Sequence, residues 1–425
     1  MLVPVLAWRR IGQHCQRRLP DRSYNVERRK YARLRRLLPS SLRPDATGKL
    51  GEDSDAWSLE NPQSLFREAR VSDVPLVSVV VNNYNYGRFL REAIDSALNQ
   101  TYPGTEVVVV DDGSTDDSRQ IISGYGDRVT PLFKENGGQA SAFNAGFAAC
   151  QGDVIIFLDA DDYLFPQAIE RVVAVWGPDV AKVQYRLEMV DAFGNHIGFY
   201  PPLDVRMESG DVWRTLLEKA NYQCPPTSGR SFSRAALDKV LPMPEVEWRI
   251  SADAYLRIQV PFLGQVVSVE QALGAYRIHG GNLWAYDRGA SQDAVDVNKF
   301  RTFVHYDVQE HDLLARKASE LGHKVPRNLQ LWNYRSVQYR IVLLRLDPKN
   351  PLVSSDRRLS LVFWGLRAIW RFPEFSWSRR LIHSTWLVWV SLSPLPMAKL
   401  AIAWLFTPET RPRIVEWIRN TIRSL

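Results

Sequence analysis

The stretch VIIFLDADD, residues 154–162, sets five apolar residues, Val154 to Leu158, directly against three aspartates, Asp159, Asp161 and Asp162. An unbroken apolar run of this length reads as a strand buried on both faces, the kind found in a parallel sheet covered by helices. Carboxylates at its end do nothing for packing, and they repel one another unless a positive charge lies between them. Mg²⁺ or Mn²⁺ takes oxygen ligands and keeps positions open for substrate phosphates, so an Asp-x-Asp at a strand end suits the holding of a nucleoside diphosphate. Aspartates in loops also form turns and cap helices, and the triplet alone leaves that reading open.

Upstream the pattern repeats. Leu76 to Val81 is a second buried-strand run, and Phe89, Leu90, Ala93, Ile94, Ala97 and Leu98 follow at the spacing of an amphipathic helix. Glu106 to Val110 is a third strand, running into Asp111-Asp112-Gly113-Ser114-Thr115-Asp116, a turn with capping residues that launches another helix. A short strand near Val129 to Phe133 precedes Gly137-Gly138 and a small-residue helix through Ala140, Ala142, Ala145 and Ala148. This β-α-β-α-β-α-β order predicts a mostly parallel sheet with helices on both faces, in which ligands bind beyond the carboxyl ends of the strands. The polar motifs fall there: Asn82-Asn83-Tyr84-Asn85, Asp111-Asp112, Asn136-Gly137-Gly138 and Asp159-Ala160-Asp161-Asp162 each follow a strand.

Residues 180–300 continue with a strand from Val183 to Val190, a turn at Phe193-Gly194-Asn195, and helices near Val212 to Ala220 and Ser251 to Pro261. They read as a second half that completes the cleft. Beyond residue 300 the pattern turns helical. The window Leu381 to Phe406 carries Lys399 as its one formal charge and is split by Pro394 and Pro396. Each half is shorter than the ~20 residues a membrane-spanning helix needs. With Trp386, Trp389 and Trp404 inside it and Arg379 and Arg380 ahead, the window fits an interfacial helix or hairpin; Leu359 to Trp370 is similar, and a buried subdomain or oligomer interface is the rival reading.

The net charge of +7 is unevenly spread over the 425 residues. Residues 1–36 hold eleven Lys or Arg against Asp21 and Glu27, a local +9 that leaves the rest of the chain at −2. Basicity confined to one arm argues against nucleic-acid binding and suits anionic lipid, a partner or a solvated tail. Residues 37–74 read as a linker, so the expected division is 1–74, 75–300 and 301–425. Three cysteines, Cys15, Cys150 and Cys224, show no metal-ligand spacing and suit a reducing compartment, and no export signal is evident.

Asn83-Tyr84-Asn85, Gln100-Thr101-Tyr102, Val110-Asp111-Asp112-Gly113-Ser114-Thr115-Asp116, Asn144-Ala145-Gly146, Gly152-Asp153 and Leu158-Asp159-Ala160-Asp161-Asp162, taken in order, resemble the family 2 glycosyltransferases over about residues 76–285. The resemblance implies a GT-A fold, a nucleotide-diphosphate sugar donor (UDP-sugar foremost), a divalent metal (Mg²⁺ or Mn²⁺) and inversion at the anomeric carbon. It implies that Asn83 and Tyr84 flank the nucleobase, that Asp112 accepts a hydrogen bond from it, and that Asn136 belongs to the donor side. Asp161 matches the principal metal ligand and Asp159 lies near the ribose or metal. The family's base sits in an acidic pair at a helix start, which matches Ala252-Asp253; Ala252 departs from the pattern, Asp253 holds the base position, and Glu245 and Glu247 are alternatives. Tyr276-Arg277-Ile278-His279 resembles the donor-side loop, making Arg277 and His279 candidates to neutralise the diphosphate. Thr227, Ser228 and Gly229 fall in a loop that resembles the acceptor side. The Gln-x-x-Arg-Trp element of processive synthases is absent, which favours single-sugar transfer. The leading expectation is a cytoplasmic enzyme at the inner face of the cell membrane that builds a surface polysaccharide, lipopolysaccharide or glycolipid. A sugar nucleotidyltransferase would present a Gly-rich phosphate loop after its first strand, which Asn82 to Gly87 lacks. A non-catalytic nucleotide-sugar-binding scaffold is the remaining alternative, and Ala252 is the departure that favours it.

Overall fold

The computed structural model describes residues 75–279, 296–325, 329–371 and 376–406, all within one compact unit, Asp73–Leu425. The basic arm, the linker, Cys15 and the Gly280-Gly281-Asn282 end of the donor-side loop lie outside the described residues.

The first half follows the expected alternation: β1 (Val77–Asn83), α1 (Gly87–Leu98), β2 (Thr105–Asp111), α2 (Ser118–Ser123), β3 (Thr130–Phe133), α3 (Gln139–Ala149) and β4 (Val154–Asp159). The second half adds β5 (Tyr163–Leu164), α4 (Ala168–Ala174), β6 (Val180–Val190), β7 (His196–Tyr200), α5 (Val212–Lys219), β8 (Arg230–Ser233), α6 (Arg234–Leu237), α7 (Ala252–Gln259) and β9 (Gln265–Arg277). One sheet runs in the order β3-β2-β1-β4-β8-β6-β9-β5, with β7 paired to β6. Strands β1 to β4 pair in parallel. β8 then enters antiparallel to both β4 and β6, so the far half of the sheet is mixed.

The valine runs are continuous because both faces are covered. Val80, Val108, Val110, Ile155 and Phe157 point into one core with Phe143 of α3. Their neighbours Val79, Val81, Val109, Ile156 and Leu158 point into another, with Leu90 and Ile94 of α1. Alternate residues on a pleated strand face opposite sides, and full burial of each is worth roughly 1.5–3 kcal/mol. The parallel register also aligns the polar strand ends. Asn83 pairs with Asp111, and Asn82 pairs with Asp159.

Helix α8 (Val297–Glu320) runs unbroken across residue 300, with the Asp296 side chain accepting from Asn298 N at its start. The helical region therefore begins at Asp296. Leu313 and Leu314 of α8 join the first sheet core, while Phe300 and Phe303 join a third core with α9 (Tyr334–Leu346), α10 (Arg358–Arg371), α11 (Trp377–Leu392) and α12 (Leu395–Phe406). Arg257 of α7 forms an ion pair with Glu310 of α8, so the helical region is joined by charge to the helix that carries Asp253.

Lys182 is fully buried in β6, donating to Gln184 Oε1 at 2.9 Å and Tyr222 Oη at 2.8 Å. Burial pulls its pKa down to about 7. Between that value and the ordinary lysine range the unfolded chain holds a proton that the folded one lacks, so this group makes stability rise with pH there, by up to ~1.4 kcal/mol per unit. Urea melts of wild type and Lys182→Met at pH 7 and 9 should show wild type gaining about 2–3 kcal/mol over the variant across that interval. A constant difference between the two would refute the depressed pKa.

Candidate active site

A cleft of about 710 Å³ opens at the carboxyl ends of β1, β2 and β4, a size suited to a small-molecule ligand. Its walls bring together residues scattered over the chain: Asn83, Tyr84, Asp112, Asn136, Asp159, Asp161, Thr227 and Asp253 all line it.

The β1 loop is locked to the β2 loop before any ligand arrives. Asn83 Nδ2 donates to Asp111 Oδ1 at 2.9 Å and to Ser114 Oγ at 3.1 Å. Asn85, at φ 58°, accepts from Thr115 N at 2.7 Å. Tyr84 is left 47% exposed on the cleft wall. Asp112 differs from the expected base acceptor. Its Oδ1 accepts from Lys134 Nζ (2.6 Å) and Gly137 N (2.9 Å), and its Oδ2 from Gly138 N (2.7 Å) and Asn136 Nδ2 (3.2 Å). Its carboxylate is occupied in holding the β3–α3 loop against the cleft. Among the buried polar atoms without a partner in the described residues, Asn82 Oδ1 and Asn83 Oδ1 belong to residues that line the cleft. A nucleobase N–H would satisfy such an orphan acceptor.

Two glycines allow this closeness. Gly113, at φ +79°, would place a Cβ 2.7 Å from Asn136 N, and Gly138, at φ +87°, one 2.5 Å from Arg249 O. Both left-handed conformations disfavour side chains, and neither site has room for one.

At the end of β4 the three aspartates separate by their partners. Asp162 Oδ2 accepts from Ser228 Oγ at 2.6 Å and its Oδ1 from Arg277 N at 2.9 Å, so it shapes the turn. Asp161 Oδ2 lies 3.0 Å from His279 Nε2. Asp159 is half-buried in the cleft, and burial, then Asp161, then Asp253, push its pKa up to about 8. The Thr227 hydroxyl and the Arg230 charge pull the other way without offsetting the rise, and a hard divalent ion would add positive charge there. Among the described residues no three His, Cys, Asp or Glu side chains form a closed metal centre.

Asp253 lies in the first turn of α7, 26% exposed, and its charge reaches Asp159 across the cleft. Arg230 of β8, 3% exposed, grips it twice: Nη1 donates to Asp253 O at 2.9 Å and Nη2 lies 3.3 Å from Asp253 Oδ2. Ala252 is fully buried in the first core and its N donates to Gln139 Oε1. The position where the family pattern has an acid is therefore occupied here by core packing. Glu245 and Glu247 are exposed and do not line the cleft.

Several expected contacts are placed elsewhere. The Arg277 side chain is 3% exposed and faces away from the cleft: Nη2 pairs with Glu92, Nε donates to Asp161 O at 2.9 Å, and the group sits 4.8 Å over the Phe89 ring. His279 packs between Tyr86 and Phe89, at 5.4 and 5.0 Å, with its Nε2 on Asp161. Neither is among the residues that line the cleft. Of the acceptor-side trio Thr227 alone faces the cleft; Ser228 is wholly buried beneath Asp162 and Asp159, and a Cβ on Gly229 would strike Pro225 at 2.6 Å. The residues missed from sequence are Asn82, Arg230, Arg249 and Tyr276. Arg249, exposed on the cleft wall with Nη2 donating to Asn136 Oδ1, is the Lys or Arg among the described lining residues. The signal for Arg230 was its place directly after Thr227-Ser228-Gly229, since a cation there needs a carboxylate partner once buried.

A family model described as "Glycosyl transferase family 2" matches residues 78–239. An uncharacterised glycosyltransferase of Nostoc sp. is 38% identical over 270 residues, covering 62% of this chain and 82% of that protein. The hyaluronan synthase of Pasteurella multocida is 42% identical over 106 residues, 24% of this chain and 11% of the synthase. Among solved structures, S. aureus TarS 1–349 in complex with UDP-GlcNAc aligns at a TM-score of 0.43 and 16% identity, over 77% of this chain and 90% of that one. The strand-end aspartates, the cleft they line and the match along most of the Nostoc relative lead to one assignment: the chain belongs to the family 2 glycosyltransferases.

Proposed function

We propose that the chain transfers a single sugar, with inversion, from a nucleoside-diphosphate donor, a UDP-sugar foremost, to a hydroxyl acceptor. The product would be a cell-surface polysaccharide, lipopolysaccharide or glycolipid made at the cytoplasmic face of a membrane. The observation that carries this reading is Asp253, a carboxylate clamped by Arg230 and facing Asp159 over an open cleft.

In this reading Asp253 takes the proton of the acceptor hydroxyl as its oxygen bonds to the anomeric carbon. The bond from that carbon to the diphosphate oxygen breaks on the opposite face, and the diphosphate leaves with the electron pair. The clamp by Arg230 keeps the carboxylate aimed at the cleft, since one guanidinium holds both the backbone and the side chain of Asp253. Asp161 and Asp159 would hold the divalent cation, which when bound supplies positive charge to the diphosphate. Arg249 adds a fixed cation in a cleft otherwise lined by Asp112, Asp159, Asp161 and Asp253. Tyr84 and the orphan oxygens of Asn82 and Asn83 receive the base, and Thr227 borders the acceptor.

The test is mass analysis of products from a panel of nucleotide sugars with Mn²⁺, using wild type and Asp253→Asn. Metal-independent hydrolysis at equal rates in both would overturn the enzymatic reading. Arg249→Ala should weaken UDP binding about tenfold, the scale of one charge-assisted hydrogen bond, with an unchanged circular dichroism spectrum. Calorimetric titration showing equal affinities would remove Arg249 from the donor site.

A further inference from the structure

Helix α11 is apolar on two sides. Trp386, Leu387 and Val390 face the third core, while Trp377, Leu381, Trp389 and Leu392 are 69%, 56%, 48% and 67% exposed. A helix apolar on opposite sides is normally covered on both, and among the described residues nothing covers the outer side of this one. The neighbours repeat this: α10 exposes Leu359, Phe363 and Trp370, and α12 exposes Leu395, Met397 and Leu400. Trp370 and Trp377 meet edge-on with ring centres 5.2 Å apart, joining the stripes of α10 and α11. An apolar groove of about 570 Å³ along Thr385, Val388, Trp389 and Leu392 leads to Pro394 at the start of α12. Contiguous apolar surface of this kind marks an interaction site.

Charge decides what covers it. From Arg358 to Phe406 the cations are Arg358, Arg367, Arg371, Arg379, Arg380 and Lys399 and the one carboxylate of the window is Glu374, while Glu218 and Asp204 from elsewhere in the chain lie 3.2 Å from Arg371 and 3.9 Å from Arg379, so positive charge still predominates. A second copy seated on this face by two-fold symmetry would bring arginines against arginines, whereas anionic phosphates would complement them. Arg380 lies 5.9 Å from both the Trp370 and Trp377 rings, a pairing of cation and indole that suits the headgroup boundary. No helix among the described residues is long and apolar enough to cross a membrane, and α11, with 16 residues, reaches only ~24 Å at the usual rise.

We propose that the outer face of α10, α11 and α12 docks on an anionic lipid bilayer, its tryptophans and leucines entering the acyl boundary and its arginines meeting lipid phosphates. This rests on the membrane placement proposed above and names the face responsible. It is read out by lipid binding, so sugar transfer can fail or succeed independently.

The full chain is floated with vesicles of phosphatidylcholine alone or with one-third phosphatidylglycerol, while light scattering follows its oligomeric state. The anionic vesicles should carry it up and the neutral ones far less. Arg379→Glu with Arg380→Glu should cut partitioning by roughly 25-fold or more, at about five-fold per arginine. Trp389→Glu with Leu392→Glu should abolish flotation, with the thermal midpoint of unfolding confirming that the variant is folded. Flotation unchanged in both variants assigns lipid binding to another segment and overturns the proposal. So does a chain that never floats and is a dimer broken by the Trp389/Leu392 variant, or a monomer whose vesicle binding is nil.

Discussion

Asp253→Asn should lower kcat by roughly 10²–10⁴-fold while leaving UDP affinity within about two-fold, because a general base acts on the reacting proton and asparagine cannot accept it. The substitution is nearly isosteric. Arg230 retains the Asp253 carbonyl at 2.9 Å, Pro225 O at 2.7 Å and Cys224 Sγ at 3.3 Å, so its guanidinium is still bonded. Loss of the charged partner should cost about 1–3 kcal/mol of stability, visible as a lower denaturant midpoint with an unchanged slope. Steady-state kinetics at saturating donor and acceptor give kcat. A variant retaining more than one-tenth of wild-type kcat would move the base elsewhere, and Glu245 and Glu247, remote from the cleft lining, could not replace it.

Asp161→Asn should have the other large effect, in two directions at once. Mn²⁺-dependent binding of UDP should fall at least tenfold, as expected when a hard cation loses an anionic ligand. The metal-free variant should at the same time be more stable than metal-free wild type near pH 8. The sign follows from Asp159, whose pKa is raised to about 8 by burial and then by Asp161. Between the ordinary aspartate range and that value the unfolded chain has released a proton that the folded one keeps, so stability falls as pH rises. Removing the Asp161 charge lessens the fall. Titration of UDP with and without Mn²⁺, alongside melts in chelator, would show both. Unchanged metal-dependent affinity would disqualify Asp161 as a ligand whatever the melts give.

The alternation of strands and helices was legible in the sequence because it depends on local periodicity. Val107 to Val110 and Val154 to Leu158 are apolar at every position, and Val77 to Val81 at every position but Ser78, which is the composition a strand buried on both faces favours. The strand-end position of Asn83, Asp112, Asp159 and Asp161 follows from the same patterning, since parallel strands all deliver their loops to one edge. The antiparallel insertion of β8 between β4 and β6 was not legible. Four residues, Arg230 to Ser233, carry no periodicity that states their direction.

That insertion is what brings Arg230 to Asp253 and Ser228 beneath Asp162, contacts spanning 23 and 66 residues of chain. The partners of individual polar side chains are set at this level, and they matter for one physical reason: a charge or amide does what its nearest partners leave it able to do. Asp112 and Arg277 look in sequence like groups for a ligand, and in the fold each is occupied by protein partners. Asn82 stood in a strand-end motif without an assigned role and Arg249 in no motif, yet one holds a buried oxygen without a partner among the described residues and the other is a cation at the wall of an acidic cleft. By itself the sequence determined the family, the parallel core and the edge where the chemistry lies, because hydrophobic periodicity is local. Which carboxylates line the cleft, which of them Arg230 clamps, and which face of the C-terminal helices is exposed among the described residues depended on long-range contacts, and only the tertiary structure decided them.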